Sequence, residues 1–261
     1  MGPHLFLIAI GVIIGFLSGM FGVGGSSIAT PLLRLIDIPR MVALASPLPV
    51  SFPTALIGGI TYWRRGLVHT KAVLWTTIGG APAVVVGSYL SSELPGRALM
   101  VLTGIFVAVV GVRLLLKNPT NEKIPPSATL KREPWSLFVL VGIIIGIFSG
   151  LLANGGGFLL LPAYMILFRF SSREAAATSL VAVALLAVPG TLVHYALGHI
   201  DIKIAVLMSL GVIPSTYLGA RIGLSLSKDK ARWIFGLFLL LFGLFFLLRT
   251  IYRAEVYGWF N

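Results

Sequence analysis

The chain has no cysteine, and only 8 of its 261 residues are aspartate or glutamate. The lack of cysteine excludes disulfide bonds, thiol relays and thiolate metal sites. Charged residues of both signs make up 11% of the sequence, whereas about a quarter of a soluble domain is charged. So few charges do not cover the surface of a protein in water, and the composition therefore excludes an ordinary soluble domain.

Apolar residues are abundant instead, at 57% of the sequence, and the mean hydropathy is +0.99. Apolar runs of about 20 residues, the length at which a helix crosses a bilayer, recur along the whole chain. Runs of this length, rather than alternating segments of about 10 residues, predict an all-α, polytopic helical bundle in a cell membrane. The run at 5–20 has no basic region before it, so we expect a retained helix and not a cleaved signal peptide.

The net charge of +12 does not indicate a nucleic-acid partner. No basic block lies on a polar domain, and the lysines and arginines fall between the apolar runs. Charges in such loops orient helices in a lipid bilayer. The expected partner is therefore the bilayer, with no nucleic acid.

The chain contains the same glycine-rich stretch twice, at 15–31 and again at 146–162. Six residues have an identical partner 131 positions later, namely Gly15, Ser18, Gly19, Gly24, Gly25 and Pro31. Further identities 132 positions apart, from Gly66 and Gly198 to Gly111 and Gly243, extend the match over nearly the whole length. The duplication predicts a first transmembrane repeat at 1–116, a linker at 117–134 and a second transmembrane repeat at 135–261.

Each repeat is predicted to hold a glycine-broken helical hairpin followed by three transmembrane helices. The segments are 5–21, 27–36, 41–63, 72–90 and 97–116, then 135–153, 157–168, 174–197, 202–226 and 232–251. If each hairpin returns to its starting side, the repeats are inverted and 14 of the 20 Lys and Arg residues lie on one side. Parallel repeats would divide them 11 to 9. Because Lys and Arg favour the cytoplasm, we expect inverted repeats, a cytoplasmic linker and both termini outside.

The two glycine-rich breaks are the candidate binding site. Broken backbone is tolerated at membrane depth only inside protein or beside a watery cavity, and matched breaks in two halves mark the binding sites of transporters. A helix that begins after a break presents N–H groups and the positive end of its dipole to an anion. The candidate substrate-binding residues at the breaks are Gly24, Gly25, Ser26, Ser27, Asn154, Gly155, Gly156 and Gly157.

Polar residues in the third segment of each half are weaker candidates for the same site. They are Ser46 and Ser51 in the first half, and Thr178, Ser179 and His194 in the second. A Ser or Thr in a membrane helix often bonds to its own backbone instead, and a buried histidine is often structural. Four further glycines, Gly15, Gly19, Gly146 and Gly150, are spaced four apart as close helix packing requires.

All eight acidic residues fall in predicted loops or at segment ends. A proton relay or a cation site would need a carboxylate in the middle of the membrane. An anion held by backbone N–H groups and by Ser, Thr and Asn side chains needs no carboxylate. We therefore expect a small anionic substrate, although a polar uncharged one also fits. No catalytic residue, metal ligand or cofactor is expected.

The duplicated Gly-x-Gly-Gly break, the short proline-bearing segment after it, and the loops Gly66…Lys71 and Gly198…Lys203 resemble the sulfite exporter TauE/SafE family, also known as toluene-sulfonate uptake permeases. The resemblance covers nearly the whole chain. It implies a secondary transporter of a sulfur oxyanion or organosulfonate coupled to an ion gradient. The first break reads Gly24-Gly25-Ser26 where the second has three glycines, so the two breaks need not be equivalent.

Two other functions stay open on the sequence alone. One is a membrane-embedded enzyme of the lipid-phosphatase type, which would need an acid or base beside a nucleophile, and the other is an anion channel. For a transporter, the alternatives also include import or export and a proton or sodium as the coupling ion.

Overall fold

The computed structural model describes residues 3–94, 96–116, 134–153 and 155–257, and in this part of the chain it contains eleven α-helices and no strands. The first half holds α1 (Pro3–Phe21), α2 (Ser26–Leu35), α3 (Arg40–Ala45), α4 (Ser51–Trp63), α5 (Thr70–Glu93) and α6 (Gly96–Leu116). The second holds α7 (Trp135–Leu151), α8 (Gly157–Ile166), α9 (Ser172–Ala196), α10 (Ile202–Ser225) and α11 (Lys228–Tyr257). The expectation of an all-α fold is confirmed.

The third segment of the first half is two helices, where the sequence predicted one. Pro47 and Pro49 lack the N–H that would continue a helix. The chain between α3 and α4 instead forms tight turns, in which Leu48 N–H donates to Ala45 O at 2.9 Å and Ser51 N–H donates to Leu48 O at 3.1 Å. The corresponding helix, α9, contains a single proline, Pro189, and continues for 25 residues.

Four helices of the described part are long and apolar enough to cross a membrane: His4–Phe21, Thr70–Glu93, Ser172–Ala196 and Ile202–Ser225. Large apolar side chains are also exposed on the outer faces of these helices, including Leu74, Leu192 and Leu210, each more than half exposed. Such faces are unfavourable in water and suit contact with lipid. The protein is a multi-pass membrane protein.

Helices of the two halves pack against one another along glycine seams. α1 lies along α10 in the same direction, because Gly11, Gly15 and Gly19 contact the backbone near Met208, Val212 and Thr216 in that order. In the same way, α7 lies along α5, since Gly142, Gly146 and Gly150 meet Thr76, Gly80 and Val84. The four-residue glycine spacing therefore serves helix packing, as the sequence predicted.

Corresponding helices of the two halves run in opposite directions. In α4 and α9, Gly58 meets Leu180, whereas Leu48, just before α4, meets Gly190. In α6 and α11, Gly111 meets Leu240, and Ala108 meets Gly243. In both pairs the residue numbers rise along one helix as they fall along the other, so each pair is antiparallel.

Candidate functional site

The first break lies between α1 and α2. Gly22 N–H donates to Ser18 O at 2.7 Å and closes the last turn of α1. Gly22 and Gly24 then take positive φ angles of 74° and 66°, which glycine adopts at no steric cost. The chain turns here, and α2 begins at Ser26.

The second break lies between α7 and α8 and repeats two of the left-handed positions of the first, but Gly156 is also left-handed where its counterpart Gly25 has a φ of −61°. Gly155 and Gly156 have φ angles of 66° and 78°, and Ala153 before them is also left-handed at 48°. α8 begins at Gly157. Asn154, a candidate ligand from the sequence, lies outside the described residues.

The two breaks touch each other. Gly157 packs so closely on the Val23 carbonyl that no side chain fits between them. Both breaks also contact Val183, since a Cβ atom at Gly24 would lie 2.9 Å from its Cγ1 and one at Gly155 would lie 3.3 Å away. Val183 is fully buried and lies halfway along α9, so the contact lies in the middle of a membrane-spanning helix.

Close packing also explains two glycines that the sequence assigned to ligand binding. Gly25 lies against the Ile14 side chain, and Gly157 lies against Val23, without room for a Cβ atom at either position. The interpretation that consecutive glycines exceed what packing needs is therefore wrong for these two residues. Gly25 lets the start of α2 pack on α1 within the first hairpin, and Gly157 lets the two breaks touch, whatever else these residues bind.

Ser26 and Ser179 are both buried near the first break. Ser26 is the first residue of α2, and its carbonyl accepts a hydrogen bond from the Thr30 hydroxyl at 3.2 Å. The Ser179 hydroxyl lies within 2.7 Å of Gly22 O and 3.1 Å of Ala176 O, so it fastens α9 to the first break. The side chain of Ser27 is outside the described part.

Ser46 and Thr178, which are 132 positions apart, make matching hydrogen bonds between the halves. Asp201 N–H donates to Ser46 Oγ at 2.9 Å, and His69 N–H donates to Thr178 Oγ1 at 3.1 Å. Asp201 and His69 are themselves 132 positions apart and precede α10 and α5. We call these two hydrogen bonds the latches. Through the latches, Ser46 and Thr178 join the two halves near the ends of helices.

His194 joins the end of α7 to α9. Its Nε2 lies 3.0 Å from Gly150 O, and its Nδ1 lies 3.2 Å from Nδ1 of His199. Because a carbonyl only accepts, Nε2 of His194 carries the proton and His199 donates across the pair. Partial burial lowers the pKa of His199, which favours its neutral form. The pair supports the structural interpretation of His194.

Two hydroxyls stand out at the second break. Ser51 Oγ lies 3.7 Å from the position of a Cβ atom at Gly155, and Ser149 Oγ lies 3.3 Å from that position at Gly156. Both side chains are buried and neither hydroxyl has a hydrogen-bond partner. Sequence reasoning did not select Ser149, although its identity with Ser18 in the duplicated stretch marked it.

Helices long and apolar enough to cross a membrane, and two breaks that meet beside the middle of α9, define a polytopic helical membrane protein with broken helices in its interior. A family model described as "Sulfite exporter TauE/SafE" matches residues 7–246. The chain belongs to this family, which confirms the resemblance drawn from the sequence. Membership indicates a membrane transporter.

Similar proteins match over most of their length. The probable membrane transporter protein MJ0441 of Methanocaldococcus jannaschii is 30% identical over 262 residues, which cover 93% of this chain and 94% of the relative. YunE of Bacillus subtilis, also a probable membrane transporter protein, is 27% identical, with coverage of 85% and 88%. YjnA of the same organism is 26% identical, with coverage of 91% and 97%. No solved structure matches the chain.

Proposed function

We propose that the protein is a secondary transporter of a small anion, a sulfur oxyanion or an organosulfonate, and that it works by alternating access around the two breaks. The observation that carries this proposal is the contact between the breaks at Val183, halfway along α9. α2 and α8 both begin at these breaks, so the positive ends of two helix dipoles are directed to the middle of the molecule. Transporter binding sites are built in this way.

The distribution of acidic residues supports an anionic substrate. In the described part each acidic residue belongs to a loop, a helix end or a terminal turn: Asp37, Glu93, Glu174, Asp201, Asp229 and Glu255. A cation in the middle of the membrane would need a carboxylate near it. Helix N-termini and hydroxyl groups serve an anion instead.

The direction of the helices supports a rocking motion of two inverted halves. α4 is antiparallel to α9 and α6 is antiparallel to α11, as expected when the second half is inverted. The breaks come from different halves, so a relative rotation of the halves changes which side of the membrane reaches them. This motion would expose the anion alternately to the two sides.

The proposal is tested by transport into proteoliposomes that contain the purified full chain. Sulfite, sulfate and methanesulfonate are the probes, and dimethyl sulfone, which resembles methanesulfonate without its charge, is the control. We expect saturable uptake of at least one anion and no saturable uptake of the neutral sulfone. Imposed proton and sodium gradients then identify the coupling ion. Anion flux that does not saturate would indicate a channel, and no flux of any anion would contradict the proposal.

A further inference from the structure

Two groups of buried hydroxyls stand out in the membrane helices. One group bonds back to its own helix, as Ser and Thr often do at membrane depth. Thr54, for example, lies 2.7 Å from Val50 O, and Ser215 lies 2.8 Å from Gly211 O. The other group is at most 1% exposed and has no hydrogen-bond partner in the described part of the chain; its members are Ser18, Ser51, Thr76, Ser88, Ser149 and Thr216. A buried hydroxyl without a partner is costly, so such a group calls for an explanation.

For two members of this group, Ser51 and Ser149, the position supplies one. Ser51 lies in the first turn of α4 and faces Gly155, whereas Ser149 lies near the end of α7 and faces Gly156. Gly155 and Gly156 are adjacent and lead into α8, a helix of 10 residues. The two unpartnered hydroxyls therefore lie beside the chain that enters the positive end of this helix.

The first break does not repeat this arrangement. The counterpart of Gly155 is Gly24, 131 positions earlier, and the counterpart of Ser51 is Val183, 132 positions later. Gly24 does face Val183, with a Cβ position 2.9 Å from its Cγ1. At the first break, a methyl group of Val183 thus occupies the position that corresponds to the Ser51 hydroxyl at the second break. The first half keeps the counterpart of Ser149, since Ser18 is also buried without a partner, but it lacks the hydroxyl of Ser51. The second break therefore has two such hydroxyls beside it, and we call this place the seat.

We propose that a single oxyanion binds at the second break, with Ser51 and Ser149 donating their hydroxyl hydrogens to two of its oxygen atoms at the N-terminus of α8. This inference rests on the proposed function and names the donors for its substrate. A sulfite or sulfonate group fits because it presents three oxygen atoms to donors from different helices. The described groups nearest Gly155 and Gly156 are all uncharged, so we expect moderate affinity and fast release.

The two serines belong to different halves, which links binding to transport. Ser51 moves with the first half, whereas Ser149 and α8 move with the second. An anion held by both hydroxyls favours one relative position of the halves over the others. A ligand shifts a conformational equilibrium only through such differential contacts.

The test is binding of sulfite and methanesulfonate to the purified full chain, measured by calorimetry and by the shift in melting temperature. We expect one anion per chain. Ser51→Ala and Ser149→Ala should each weaken binding by about 10- to 100-fold, the usual effect of losing a hydrogen bond to a charged group. The matched controls are Ser18→Ala, the repeat partner of Ser149, and Thr216→Val, which removes another buried hydroxyl without a partner. Both controls should bind as the unchanged protein does.

Failure of the inference and failure of the proposed function give different results. If the unchanged protein neither binds nor transports either anion, the proposed function is wrong. If it binds or transports an anion, but Ser51→Ala and Ser149→Ala bind it as the controls do, only the inference about the two serines is wrong. Two anions per chain would overturn the single seat. Because each hydroxyl has no partner without ligand, its removal should not lower the melting temperature, and a large loss of stability would show a structural role instead.

Discussion

At the scale of single residues, glycine has two separate roles in this protein. In the breaks, Gly22, Gly24, Gly155 and Gly156 supply left-handed backbone that other residues adopt at a cost. Along the helices, glycines such as Gly146 have ordinary helical backbone and instead let a neighbouring helix approach. The first role shapes the candidate site, and the second determines which helices lie beside it.

The packing role predicts a specific effect on stability. A Cβ atom at Gly146 would lie against the Gly80 carbonyl, and 2.9 Å from the Ala83 Cβ, so Gly146→Ala must push α7 away from α5. We expect it to lower the free energy of unfolding by about 1–3 kcal/mol. Thermal unfolding of the detergent-solubilised protein measures the change.

Gly59→Ala is the control for this substitution. Gly59 is also inside a helix, but its nearest neighbour is the end of the Val181 side chain, at 3.2 Å from the added atom. Alanine here should be neutral or slightly stabilising because it is the better helix former. Equal losses of stability in the two variants would show that helix propensity, and not packing, explains the first one.

The sequence predicted the positions of the glycine breaks better than it predicted which hydroxyls lie beside them. A run of glycines inside an apolar segment is visible in one dimension, because glycine adopts such turns at no steric cost and other residues, such as Ala153 here, do so rarely. The role of a serine depends on what lies opposite it in three dimensions. Ser46 and Thr178 faced helix ends of the other half, whereas Ser149, which was not selected, faced the second break.

At the scale of helices, the limits of most elements were predicted within a few residues, because apolar run length and the breaks at Gly and Pro determine them. α1 and α7 end at the predicted glycine breaks, and α5 and α10 match their apolar runs. The pairing of α1 with α10 was not predicted. Several helices carry glycines at similar spacing, so spacing alone does not identify the partner.

The inverted arrangement leads to a prediction about the ends of α5 and α10. These corresponding helices end near Ser92 and Ser227, two exposed residues that we propose lie outside the cell and in the cytoplasm, respectively. Because the chain has no cysteine, Ser92→Cys and Ser227→Cys each introduce a single thiol with little change in shape. A maleimide that does not cross membranes should label only Ser92→Cys in intact cells, and both after permeabilisation.

Each other labelling pattern has a distinct meaning. Labelling of both thiols in intact cells is expected of parallel halves and would contradict the inversion. Labelling of Ser227→Cys alone would keep the inversion and reverse the orientation in the membrane, with the linker 117–134 outside. The Ser92 hydroxyl donates to Tyr89 O at 2.6 Å, and Ser227 Oγ accepts from Lys230 N–H at 3.4 Å at the start of α11. Both contacts are local, so neither substitution should disturb the packing between helices.

At the scale of the whole molecule, the two latches join the halves at opposite ends. His69 precedes α5 and Asp201 precedes α10, and these helices run in opposite directions. Each latch connects one half to a loop of the other. Alternating access requires that the halves separate on one side of the membrane while they stay together on the other. The latches are therefore suited to hold the two sides closed in turn.

This arrangement predicts opposite effects for Thr178→Val and Ser46→Ala. Each removes one hydrogen bond, worth about 0.5–1.5 kcal/mol, and should shift the opening of one side by roughly 2- to 10-fold.

A thiol at the fully buried Val23, where the breaks touch, reports the opening. In Val23→Cys protein, Thr178→Val should speed labelling from the cytoplasmic side, since His69 follows the arginines of that loop, and Ser46→Ala should speed it from outside. Ser215→Ala, whose hydroxyl lies 2.8 Å from Gly211 O in its own helix, should change neither rate. Faster labelling from the same side in both variants would mean that the latches only stabilise the fold and do not control access.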